Sequence, residues 1–96
     1  MKPVIRIYHK YDYEGRIVFG WLLHNTNGNV TARSYKELRS IKGIVHNAEV
    51  AVANMHEVSR SEWHAWKTYP LGPDIIVPKE VKDAEKLYWL EIQNAP

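Results

Sequence analysis

Apolar and polar side chains alternate from Val4 to Tyr11. Ile5, Ile7, His9 and Tyr11 fall on one side and Val4, Arg6, Tyr8 and Lys10 on the other, the period-two pattern of a half-buried strand. Glu14-Gly15 then suits a hairpin turn, because glycine accepts the positive φ that a Cβ resists. From 17 to 25 Ile17, Phe19, Trp21 and Leu23 oppose Val18, Gly20, Leu22 and His24. Both faces are largely apolar, which predicts a central strand covered on each side. Asn27-Gly28 is the strongest hairpin signal in the chain, and Val30 to Arg33 returns antiparallel to complete a three-stranded meander.

At Ser34 the period changes. Ser34-Tyr35-Lys36-Glu37 fits a capping box, and Leu38, Ile41, Val45, Ala48, Val52 and Met55 recur at spacings of three and four, with Ile44, Ala51 and Val58 widening the stripe. The spacing predicts one long amphipathic helix over 36–57, packed across the sheet. Gly43 inside it costs about 1 kcal/mol relative to alanine, which a close helix–strand approach or a slight kink would account for. Ser59-Arg60-Ser61-Glu62 offers a second capping box, and YPLGPD ends the short segment that follows. Residues 75–77 read as extended. Pro78 opens a final helix, KEVKDAEKLYWL, with Val81, Ala84, Leu87 and Tyr88 inward, although LYWLEI reads equally as a fourth strand.

Ninety-six residues make a single α+β domain, residues 1–96, and a domain this small buries only about 60 % of the surface of its unfolded chain. Four Trp, six Tyr and one Phe must therefore contribute heavily to the core. There is no cysteine, which removes disulfides, thiolate zinc sites and a thiol nucleophile. No apolar run reaches signal-peptide or membrane-span length, so the expected location is cytoplasmic, with no membrane partner. The net charge of +2 hides an asymmetry: residues 1–46 hold eight Lys or Arg against three acids, and residues 47–96 hold five against eight. Such a split steers an anionic partner to one half, or lets two copies attract head to tail.

Trp21-x-Leu23-x3-Asn27-Gly28-x5-Ser34, with Tyr35 and then Gly43-Ile44, resembles the YegP-like domain over residues 4–57. The resemblance implies a β-β-β-α unit that pairs, as tandem repeats or as a homodimer. It transfers no catalytic residue. Residues 58–96 form an aromatic extension outside it.

Candidate chemistry is sparse. Glu49, His56 and Glu57 lie near one another on the helix, but no HExxH or paired i, i+4 histidines accompany them, and a solvated helix face accounts for them. Ser61 and His64 lack an orienting acid and an oxyanion hole. No cofactor or metal is implied, and the reading is non-enzymatic. Arg6, Tyr8 and Lys10 on one strand face, extended by Arg33, Lys36, Arg39 and Lys42, are candidates for nucleic-acid binding, since cations between aromatics stack bases and neutralise phosphates. Trp63, Trp66, Tyr69, Tyr88 and Trp89 are candidates for a protein interface, where large rigid rings concentrate binding energy. Trp89 is the one expected to be exposed. The favoured function is a small protein-binding module, such as a phage- or mobile-element-encoded inhibitor of a host complex. The alternative is a nucleic-acid-binding protein.

Overall fold

The computed structural model describes residues 2–59, 62, 65 and 72–93. Its elements are β1 (Val4–Tyr11), β2 (Ile17–His24), β3 (Val30–Arg33), α1 (Ile41–Met55), β4 (Asp74–Ile76) and α2 (Lys79–Gln93). The sheet runs β3-β2-β1-β4. The expected antiparallel meander is present, but a fourth strand lies parallel to β1, with Val4 opposite Asp74, Ile5 opposite Ile75 and Arg6 opposite Ile76. The sheet is therefore mixed. Residues 86–92, left between helix and strand by their pattern, belong to α2.

Both hairpins use one device. After β1, Asp12 Oδ1 accepts from the N–H groups of Glu14 and Arg16, each at 2.9 Å, and Gly15 donates to the Asp12 carbonyl. After β2, Asn25 Oδ1 accepts from Asn27 and Asn29 at 2.9 and 3.0 Å, and Gly28 donates to the Asn25 carbonyl. Gly15 and Gly28 hold φ of 78° and 85°. Each loop is thus a turn closed by a left-handed glycine, three residues long between bonded positions rather than two. Asn27-Gly28 marked the reversal correctly, but the repeating element is Asx-x-x-Gly.

In the first loop the acceptor is charged. The backbone N–H of Arg16, ahead of the other contributions, holds the Asp12 carboxyl below the usual carboxylate range. Its contribution to stability is present above about pH 4, the unfolded value, and is lost as pH falls through the lower folded one. Asp12→Asn supplies the same acceptor without the charge, as Asn25 does. The variant should show a smaller loss of thermal stability than wild type between about pH 4 and pH 2, measured by circular-dichroism melts; identical acid profiles would refute this.

The helix begins later than the capping pattern at Ser34 predicts. Ser34 is buried, and its Oγ accepts from Trp21 N–H at 3.1 Å while its own N–H donates to the Trp21 carbonyl. The chain then stays beside β2, where Leu38 and Phe19 exchange backbone bonds of 2.7 and 2.9 Å. Ser40 is the true N-cap, accepting from Gly43 N–H at 2.9 Å. A Cβ at position 43 would sit 2.8 Å from that hydroxyl, so Gly43 makes room for the cap, and neither strand approach nor a kink is needed. No acid stands in the first turn of α1, but Glu85 of α2 reaches across and accepts from Ile41 N–H at 2.6 Å. A carboxylate there satisfies an orphan donor and complements the helix dipole.

At the other end Glu57 N–H donates to Asn54 and Val58 N–H to Ala53, a Schellman closure in which Glu57 takes φ of 57°. A left-handed non-glycine costs roughly 1–2 kcal/mol, partly offset by glycine's extra unfolded freedom. Glu57→Gly should stabilise the protein by about 0.5–1 kcal/mol, read as a higher urea midpoint; a lower midpoint would refute it.

Both helices pack on one sheet face. The core joins Ile5 and Ile7 of β1, the Ile17, Phe19, Trp21 and Leu23 face of β2, Ile44, Ala48, Val52 and Ala53 of α1, and Val81 of α2. Trp21 also donates from Nε1 to Asn47 Oδ1 at 3.0 Å, pinning α1 to the central strand. Met55, expected in the stripe, is exposed.

Candidate functional site

Val81 is the only described residue of α2 that is fully buried, with Ala84 and Tyr88 half-buried behind it. Leu87, expected inward, is 59 % exposed. Six residues at 3.6 per turn place it about 120° from Val81, outside the face that Val81, Ala84 and Tyr88 share. Trp89, Leu90 and Ile92 are exposed as well, at 50, 46 and 46 %. The last two turns of α2 thus present apolar side chains around most of their circumference.

Tyr11 and Tyr13 of the first hairpin are also exposed, and a cavity of about 160 Å³ between hairpin and helix is lined by Tyr11, Ile17, Leu87, Tyr88 and Glu91. Tyr88 and Trp89 pack edge to face, ring centroids 5.7 Å apart. Of the protein-interface candidates, Trp89 is exposed as expected and Tyr88 half-buried beside it. Trp63, Trp66 and Tyr69 lie outside the described residues. Leu90 and Ile92 were missed; each is three residues from Leu87 or Trp89, a spacing that the alternative strand reading of this segment obscured.

The nucleic-acid candidates divide. Arg6 and Arg33 occupy one cross-strand row on the outer sheet face, either side of Leu22, and both are exposed. Lys10 instead pairs with Glu37, whose hydrogen bond and charge hold the ammonium pKa above its usual value. The Tyr8 ring lies over Gly20, where a Cβ would overlap it, so the ring covers its own sheet as well as solvent. Lys36, Arg39 and Lys42 are exposed on the connection to α1 and in its first turn. These residues do not form a single aromatic and cationic platform.

Among the described residues no group of three or more His, Asp or Glu could hold a metal ion. His64 and Ser61 lie outside them. No described helix is long and apolar enough to cross a membrane. No family model matches the chain, and no curated protein and no solved structure is detectably similar to it.

Proposed function

We propose that this protein acts by binding another protein, without catalysis, through the apolar end of α2. The observation that carries the reading is the exposure of Leu87, Trp89, Leu90 and Ile92 on two consecutive helical turns, beside the exposed Tyr11. Contiguous apolar surface is costly to leave in water, and a helix face of this kind docks into a groove or against a second helix. The small size suits a blocker of a larger complex, as a phage- or mobile-element-encoded inhibitor would be. A homodimer formed through the same surface belongs to the same proposal.

The test compares tagged wild type with Leu87→Glu/Leu90→Glu, both positions being exposed so that the fold tolerates the change. Wild type should enrich a defined protein from lysate, or a second copy of itself by light scattering, and the variant should lose it by at least about tenfold, a loss of roughly 1.4 kcal/mol. Equal recovery by both, or a wild type that stays monomeric and partnerless, would sink the reading.

A second reading rests on Arg6 and Arg33, both exposed in one cross-strand row of the outer sheet face. Single-stranded oligonucleotide binding that falls steeply with salt would support it, and no binding at low salt would remove it.

A further inference from the structure

β4 pairs with β1 from Val4 to Arg6 and stops, so among the described residues nothing continues the ladder along residues 7–11. The alternation of β2 fixes which backbone groups are left there. Phe19 and Trp21 exchange their bonds with Leu38 and Ser34, on the side away from β1. β1 therefore bonds β2 through Arg6, Tyr8 and Lys10, opposite Leu22, Gly20 and Val18, and turns the groups of Ile7, His9 and Tyr11 outward. Where β4 departs, a cavity of about 240 Å³ lined in part by Ile7, Tyr8, His9, Pro78 and Glu80 lies beside this edge. It leaves room for another strand to enter.

The other edge segments of the sheet are guarded. β3 has four residues and a register shift between Leu23 and His24, and β4 has three residues set between Pro73 and Pro78. Short strands, bulges and prolines all discourage edge-to-edge association. Residues 7–11 carry none of these devices: their pairing with β2 is regular and they include no proline. Lys10, the one Lys, Arg, Asp or Glu among them, points to the outer face and is held by Glu37.

We infer that residues 7–11 of β1 pair antiparallel with the same residues of a second copy, about a twofold axis near His9, joining two four-stranded sheets into one of eight strands.

A second copy is the occupant that this edge fits. Outward N–H and C=O groups that alternate along a strand are complementary to the same strand reversed, so one twofold axis serves both copies and closes the assembly. Pairing with β3 or β4 of another copy would be heterologous and could add chains without end, and those are the edges that the fold blunts. The axis near His9 also sets Tyr11, 67 % exposed in one copy, against the strand of the other. The inference does not depend on Leu87, Trp89, Leu90 or Ile92.

The full chain should dimerise in sedimentation analysis between about 10 µM and 1 mM. In hydrogen exchange followed by NMR, the His9 and Tyr11 amides should slow by about threefold or more over that range, while the amides of β3 should not change. Leu87→Glu/Leu90→Glu should leave this protection in place, which separates it from association through α2. His9→Pro removes one outward N–H and keeps the bonds to β2, which Tyr8 and Lys10 carry, so it should fold and weaken the dimer by about tenfold or more. If that variant does not fold, the exchange of the wild type decides. A chain that is monomeric at about 1 mM, or a dimer whose His9 and Tyr11 amides exchange at the monomer's rate, overturns the inference. So does protection of those amides only when a different protein is added, which would assign the edge to a foreign strand.

Discussion

Phe19→Ala is expected to lower the unfolding free energy by about 3–5 kcal/mol, the range for truncating a buried aromatic. Phe19 is completely buried at the middle of the central strand, between β1 and the Leu38 bridge, and among the described residues it is the largest side chain with no exposed surface. Total stability for a small domain is about 5–15 kcal/mol, so the variant should sit near the edge of folding at room temperature. Urea unfolding followed by tryptophan fluorescence would show the midpoint falling with an unchanged slope. A shift below about 1 kcal/mol would mean that the cavity collapses without cost, which a site enclosed by two strands and a helix should not permit.

Val81→Asp should act more locally. Only Val81 anchors α2 deeply, and the half-buried Ala84 and Tyr88 and the Glu85 link to Ile41 complete its attachment. Removing a buried valine forfeits about 1.5–3 kcal/mol, and a carboxylate cannot stay unpaired in its place. The helix should lift off while β1, β2 and α1 remain paired. Hydrogen exchange would then show the Lys79–Gln93 amides losing about 30- to 100-fold protection, roughly 2–3 kcal/mol, with β2 amides much less affected. Equal loss across both regions would show instead that α2 and the sheet open as one unit.

The strands were legible because their pattern is local. Ile5 and Ile7 alternate cleanly, and the two apolar faces of β2 identify the central strand without reference to its neighbours. The start of α1 was not. Ser34 with Glu37 matches a capping box as well as any sequence can, but its hydroxyl is taken by Trp21 N–H, a partner thirteen residues earlier on the neighbouring strand. β4 showed as an extended run, yet three apolar residues carry no register and cannot name β1 as their partner. Exposure of Trp89 followed from helical geometry once Tyr88 was placed inward.

The parallel pairing of β4 with β1 has a kinetic side. Hairpins β1–β2 and β2–β3 and the helix after them close over short stretches of chain, whereas the β1–β4 pairing joins Val4 to Asp74 across all of them. Local contacts form fast and distant ones slowly, since the entropy of closing the larger loop is lost before any pairing repays it. Once residues 4–55 have assembled, α1 covers part of the inner face of β1, and the remainder stays open until α2 packs there. β4 and α2 therefore work as a built-in late shield, and a chain in which they have not yet docked leaves apolar sheet surface open to other chains.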